Sequence, residues 1–291
     1  MQSSVLTTIF LPVALGIIML GLGLSLTLAD FKRVVVYPRA VIIGLVCQML
    51  LLPVICYALA VGFGLPPELA VGLMLLAASP GGATANLFSH LAHGDVALNI
   101  TLTAVNSLLS LLTLPLIINY SLTAFMGEGK VLPLQTDKVL QVFAIVLIPV
   151  SIGMLIRARR PQLADRLDKP VRIISAVFLV LIIAATIIKE RAIIGDAFVS
   201  VGPAALCFNL ASLTLGYGLP RLLRLDKRQS IAIGMEIGIH NGTLAIAIAS
   251  APTLLNNSTM AIPPAIYSLI MFVTAGLFGY LVSRNRPGRG A

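Results

Sequence analysis

The chain has 291 residues, of which 58% are hydrophobic and only 11% charged, with a formal net charge of +9. A soluble domain has about a quarter of its residues charged, so this composition excludes an ordinary water-facing surface, and the apolar residues run in stretches of roughly 20, enough to cross a bilayer. The basic excess would suggest nucleic acid in a soluble protein, but there is no basic patch interleaved with aromatics and no zinc-finger spacing, so the basic residues read as topology signals and lipid-headgroup contacts in short loops.

Cutting the sequence at charged and Gly/Pro-rich joints gives nine candidate membrane helices. The first four are Val5 to Thr27, Ala40 to Phe63, Leu69 to Ala92 and Val96 to Thr123. After a longer loop come Leu140 to Ile156, Ile173 to Ile188, Val199 to Leu219, Ile231 to Ala251 and Ile262 to Val282. The runs are continuous rather than alternating, which excludes a transmembrane β-barrel. Met1-Gln2-Ser3-Ser4 places no Lys or Arg ahead of the first apolar run; a cleavable signal peptide needs such a region, so the first span is expected to be retained. The expectation is an all-α membrane protein with one transmembrane domain over residues 1–291, its halves covering about 5–123 and 138–283. Cys47, Cys56 and Cys207 lie inside apolar spans with no CxxC pair and read as small buried hydrophobes.

The 20 Lys and Arg residues divide sixteen to four between the two sides that nine crossings define. One side holds Lys32, Arg33, Arg39, the cluster from Arg157 to Arg172, then Arg221, Arg224, Lys227, Arg228, Arg284, Arg286 and Arg289. The other holds Lys130, Lys138, Lys189 and Arg191. The positive-inside rule then puts the C-terminus in the cytoplasm and the N-terminus outside, in the inner (cytoplasmic) membrane of the cell.

The same sorting puts ten of the 11 acidic residues in loops and leaves Glu236 within the eighth span. A carboxylate at a helix centre costs on the order of 2.5–3.5 kcal/mol on the insertion scale, so it needs a partner. No Lys or Arg lies in any predicted span. A bound cation or a proton is the expected partner; the alternative is a protonated Glu hydrogen-bonded between helices. Its surroundings, Met235-Glu236-Ile237-Gly238-Ile239-His240-Asn241-Gly242-Thr243, are poor material for a continuous helix. Unwinding there frees carbonyls for a cation and turns the amides of the next half-helix, from Asn241, Gly242 and Thr243, towards an anion.

The third span carries a matching interruption, Ser79-Pro80-Gly81-Gly82-Ala83-Thr84-Ala85-Asn86. Pro80 removes a backbone donor and the glycines loosen the turn. Ala83 and Thr84 then open a second candidate anion-facing half-helix, and Asn86 offers a carbonyl oxygen one turn on. Two broken spans, one in each half, are what an inverted-repeat transporter with a midplane site requires. Asn99, Thr103 and Asn106 share one face of the fourth span; Gln48 sits within the second and Asn209 within the seventh. Each alone reads more readily as an interhelical hydrogen bond than as a ligand, although their oxygens suit Na⁺. His240 reads either as a structural hydrogen-bonding residue or as part of a proton path.

At these two motifs the sequence resembles the bile acid:sodium symporter family. The likeness rests on Ser79-Pro80-Gly81-Gly82 with Asn86, and on Glu236-Ile237-Gly238 with Asn241. Gln48 followed by Pro53 supports it, as does spacing that stays in step from about Leu15 to the last span. The resemblance implies panel and core helix groups, two broken helices crossing in the core, one or two Na⁺ ions beside the crossing, and an organic-anion cavity between the groups. It implies a first Na⁺ site at Asn86, Asn99, Thr103 and Glu236. A second would use Gln48, Glu236, Ile237, Ile239 and His240. It also implies the nine-helix form, lacking the first helix of the ten-helix members. Three positions depart from the pattern: Ala85 and Asn99 stand where relatives carry Ser, and His240 where they carry Gln.

The expected function is therefore sodium-coupled symport of a small organic anion, such as a hydroxy or keto acid or a bile-acid-like compound. A proton-coupled or efflux carrier on the same fold is the alternative. An intramembrane enzyme would need paired acids, HExxH or a DDxxD-like cluster, which one buried acid cannot build. A passive receptor would have no need of two broken helices.

Overall fold

The computed structural model describes residues 11–127, 136–189, 191, 194–251 and 254–284. The predicted start of the first span at Val5, together with Glu128, Lys130, Glu190, Arg286 and Arg289, lies outside the described residues. Among those described the protein is all-helical, with no strand and a single isolated antiparallel bridge between Gly81 and His240.

Helix α1 (Leu11–Ser25) bends by 68° at Leu26 and Thr27 into α2 (Leu28–Lys32) and the 3₁₀ turn that continues it. The Asp30 carboxylate accepts from the Thr27 amide and hydroxyl, both at 2.7 Å, and so fixes this corner, where the first predicted span ends. The second span is α3 (Pro38–Val46) and α4 (Leu52–Gly62), joined through a π-turn at Cys47–Leu51. Pro53 is the cause to look for: it has no N–H for the carbonyl four residues back, and a widened turn accommodates the missing bond. The turn closes through the Leu52 amide on the Cys47 carbonyl.

Two half-helix pairs follow the same plan. Helices α5 (Pro67–Ala78, 12 residues) and α6 (Ala83–Leu91, 9 residues) flank the first break. Between them and the later helices run α7 (Val96–Met126), α8 (Thr136–Arg159), α9 (Pro161–Lys189) and α10 (Ile194–Leu222). Helices α11 (Lys227–Gly238, 12 residues) and α12 (Gly242–Ser250, 9 residues) flank the second break, and α13 (Ile262–Arg284) closes the chain. Among the described residues, four segments are each long and apolar enough to cross a membrane: Pro38–Gly62, Val96–Met126, Gly195–Leu222 and Thr259–Arg284; the bent pair through α1 and α2 makes a fifth.

The basic segment from Arg157 to Arg172, read from sequence as a loop, is helical apart from the joint at Arg160. Ala164, Leu167 and Val171 recur at helical spacing and pack on Leu24 and Leu20, so an amphipathic turn stays helical despite its charge. Pro161 starts α9, where its missing donor costs nothing.

Apolar surfaces gain little from each other in lipid, so helices associate there by close packing and polar contacts. Helix α1 runs along α8 and α9. At one point a Cβ on Gly23 would strike the Val150 carbonyl, and one on Gly153 would strike the α1 backbone, so both positions must be glycine for the two helices to approach this closely. Helix α11 is held by α10, α7 and α6, and α5 by α7 and α4. Large apolar side chains such as Val36, Leu112, Leu116, Val199 and Val273 point outward, as befits a multi-pass membrane protein.

Candidate cation and anion site at two paired helix breaks

The two breaks meet. The Gly82 amide donates to the Ile239 carbonyl at 3.0 Å, and the Asn241 amide to the Pro80 carbonyl at 2.9 Å, making a short antiparallel ladder about the Gly81–His240 bridge. Backbone that leaves a helix must find new partners, and here each break supplies them to the other. Gly81 is required by close approach: a Cβ there would fall within the Glu236 carboxylate.

Glu236 is fully buried. Thr103 donates to its Oε2 at 2.6 Å, and the Asn106 Nδ2 donates to its Oε1 at 3.1 Å. Among the described residues it makes no ion pair. Asn99, one turn before Thr103, donates its Nδ2 to the Ala232 carbonyl of α11 at 2.7 Å.

Gln48 and His240 converge on a single atom. Presented by the π-turn, Gln48 donates Nε2 to the carbonyls of Ser79 (3.0 Å) and Ala77 (3.3 Å). His240 sets Nδ1 3.2 Å from the same Ser79 carbonyl. A carbonyl only accepts, so Nδ1 carries the proton and, in the neutral ring, Nε2 is left with a bare lone pair. The ring is fixed by Phe208, stacked at 5.6 Å, and by Tyr267, edge-on at 5.5 Å.

Several buried acceptors have no hydrogen-bond partner: Gln48 Oε1, Asn86 Oδ1, Asn99 Oδ1, Asn106 Oδ1 and His240 Nε2. Leaving such a group unmet costs about 1–3 kcal/mol. Four of the five are amide oxygens, which have no proton to give and accept only from a donor or a cation. This donor set fits a hard monovalent cation. Of the residues expected at the first site, Thr103 touches Glu236, while Asn86 and Asn99 contribute unpartnered oxygens without a direct bond to the carboxylate. At the second, Ile237 and Ile239 are buried, the Ile239 carbonyl accepts from Gly82 and the His240 carbonyl from the Gly242 amide at 3.0 Å.

The half-helix N-termini are built differently from each other. Ala83 opens α6 and Thr84 is exposed beside it. In α12, Asn241 Oδ1 caps the Leu244 amide at 3.0 Å, Thr243 is buried, and Gly242 seats so closely on the Ser268 hydroxyl that a Cβ would overlap it. A cavity of about 590 Å³ lies elsewhere, at the basic loops, bounded by His90, Asp95, Lys227, Arg228 and their neighbours.

Four contacts went beyond the sequence reading. Asn106 shared the helical face of Thr103, but only the fold places it on Glu236. Asn209 Nδ2 and the Tyr267 hydroxyl both donate to the Gly238 carbonyl at 2.9 Å, and Thr274 holds the Asn209 oxygen at 2.5 Å. A buried tyrosine whose hydroxyl needs a partner was the available signal for Tyr267.

The profile of the Sodium Bile acid symporter family matches residues 12–197, more than half of the chain. This chain belongs to that family. The family consists of sodium-coupled transporters rather than enzymes. Among its relatives, the uncharacterized sodium-dependent transporter YocS of Bacillus subtilis is 29% identical over 89% of this chain and 78% of its own length. The rice protein named "Probable sodium/metabolite cotransporter BASS2, chloroplastic" is 28% identical over 97% of this chain and 65% of its own. Human sodium/bile acid cotransporter 4 is 30% identical over 93% of this chain. The chain spans 62% of the length of that last relative.

Proposed function

We propose that this protein is a sodium-coupled secondary transporter that carries a small organic anion across the cytoplasmic membrane. The observation that carries the reading is Glu236: a fully buried carboxylate with no ion pair among the described residues, set against Gly81 where two broken helices meet and bonded by Asn106, whose amide oxygen is unpartnered. A relative named as a sodium-dependent transporter and two named as sodium/metabolite and sodium/bile acid cotransporters agree with it. The first Na⁺ site comprises Asn86, Asn99, Thr103 and Glu236, and a second comprises Gln48, Glu236, Ile237, Ile239 and His240. A cation at either place neutralises Glu236 and steadies the ladder between the breaks, and that ladder positions the half-helices at Ala83–Thr84 and Asn241–Thr243 to receive a carboxylate.

The finer architecture is one domain of nine crossings in two inverted repeats, with an external N-terminus. Its support is the matched pair of 12- and 9-residue half-helices. Contacts between loops of like side add to it. The Arg39 guanidinium donates to the Leu223 carbonyl at 2.6 Å and the Asp95 amide to the Arg228 carbonyl at 2.9 Å on the basic side; Asn257 donates to Glu68 at 3.0 Å on the other.

The test is an uptake screen of small hydroxy, keto and bile acids in vesicles, with an inward Na⁺ gradient, a pH gradient, or neither. Accumulation that needs the Na⁺ gradient is the expected result. Accumulation driven by pH alone would replace sodium with the proton, a reading that the bare Nε2 of His240 keeps in view, and gradient-independent uptake would exclude coupling.

A further inference from the structure

We propose that Asn106 is a further residue of the cation site, holding Glu236 through its Nδ2 and supplying its Oδ1 as an additional ligand. The inference rests on the sodium reading of the Glu236 site and adds to it a residue that the motif leaves out.

Asn106 is fully buried on the face of α7 that also carries Asn99 and Thr103. Its amide orientation follows from its partner: Glu236 Oε1, in an ionised carboxylate, only accepts, so the NH₂ must face it and the carbonyl must face away. That carbonyl oxygen is buried and meets no donor. The oxygen and nitrogen of one amide are about 2.3 Å apart by covalent geometry, so Oδ1 lies within about 5.4 Å of Glu236 Oε1. Two oxygens on one small cation, each at a bond length of about 2.4 Å, sit no more than about 5 Å apart. The two ranges overlap below about 5 Å, where Asn106 Oδ1 and the Glu236 carboxylate can share one ion.

The division of labour also explains why both carboxylate oxygens are engaged. Thr103 takes Oε2 and Asn106 takes Oε1, so the carboxylate cannot rotate, and each oxygen keeps lone pairs for a cation. A purely structural Asn106 would need only its donor. The unmet acceptor, together with the bond to Glu236, sets it beside Asn86 and Asn99.

Two variants separate the roles. Asn106→Asp keeps an oxygen at the ligand position and loses the donor; Asn106→Leu has a similar volume and loses both. The full chain is purified in detergent, and thermal unfolding is followed as NaCl replaces choline chloride at constant ionic strength. If Oδ1 is a ligand, the Na⁺ concentration giving half-maximal stabilisation rises at least about tenfold in Asn106→Leu and stays within about threefold of the unaltered protein in Asn106→Asp. The discrimination of Na⁺ against K⁺ should fall in Asn106→Leu alone. Equal losses in both variants would mean that Asn106 only orients Glu236 and would overturn the ligand role, and unchanged Na⁺ dependence in both would remove it from the site. Should Asn106→Leu not insert, Asn106→Ala under the same titration replaces it with the same expectation. The unaltered protein serves as the control for the site itself. No Na⁺-dependent stabilisation in it would sink the sodium site itself, whereas normal stabilisation with indifferent variants would sink only the role of Asn106.

Discussion

Glu236 is costly to keep where it is, and its surroundings show how the cost is met. Removing its charge while preserving its shape isolates the cation function. Glu236→Gln can still accept from Thr103 through its oxygen, but it presents an NH₂ to Asn106, and it cannot neutralise a cation. The protein should insert at normal levels and lose Na⁺-dependent uptake by at least about a hundredfold, in line with breaking a charge-assisted interaction in a low-dielectric interior. Uptake with an unchanged Na⁺ response would remove Glu236 from the mechanism. His240 offers a second test. Protonation puts a hydrogen on Nε2 and a positive charge beside any neighbouring Na⁺, so Na⁺ binding should weaken as pH falls and the imidazole protonates. His240→Gln supplies an amide that does not titrate and should flatten that pH dependence while keeping Na⁺ coupling. A mutant with the original pH profile would show that the titrating group lies elsewhere.

At the scale of elements, the breaks do more than kink two helices, because each provides the hydrogen-bond partners that the other lacks. The adjacent glycines of the first break are therefore not equivalent. A Cβ on Gly81 would occupy the position of the Glu236 carboxylate, whereas one on Gly82 meets Thr84 Oγ1 at 3.4 Å and the His240 carbonyl at 3.6 Å, ordinary contact or nearly so. Overpacking a close-packed site costs about 1–3 kcal/mol. Gly81→Ala should then weaken Na⁺ binding at least about tenfold, with Gly82→Ala changing it by less than about threefold; Na⁺ titration of purified variants reads the difference. Equal effects would mean that the two glycines serve backbone flexibility alone. The π-turn at Cys47–Leu51 belongs to this scale too. It gathers Pro53 into a membrane helix and aims Gln48 at the first break in the same stroke.

Across the whole molecule, the distribution of charge and the packing of small residues set the topology. The cluster from Arg157 to Arg172 is tied to the bend between α1 and α2 through the Arg157 Nε donating to the Leu24 carbonyl at 2.6 Å. Lys169→Cys should react with a membrane-impermeant thiol reagent from the cytoplasmic side only, once the native cysteines have been replaced; labelling from outside would reverse the orientation. The contact of α1 with α8 predicts a different phenotype. Gly153→Leu must push the two backbones apart, so it should lower the amount of folded, inserted protein, measured by monodisperse recovery in detergent, whatever substrate is offered.

What the sequence determined by itself was set by composition and by local chemistry. Few charges and long apolar runs dictate a helical membrane protein, because backbone polar groups in lipid must be satisfied within the segment. Glu236 stands out because a carboxylate in such a run is expensive wherever it folds, and Ser79-Pro80-Gly81-Gly82 and Gly238 mark their breaks because Pro and Gly act on the backbone at their own positions. The tertiary structure alone decided the rest. It paired Gly82 with Ile239 and Pro80 with Asn241, brought Asn106 to Glu236, turned Gln48 and His240 onto one carbonyl of Ser79, and set Asn209 and Tyr267 on Gly238. It also kept the basic segment after Arg160 helical. These choices are illegible in the chain because an amide or hydroxyl can bond to many partners. Which partner it meets, and which oxygen is left over for a cation, depends on how helices far apart in sequence cross.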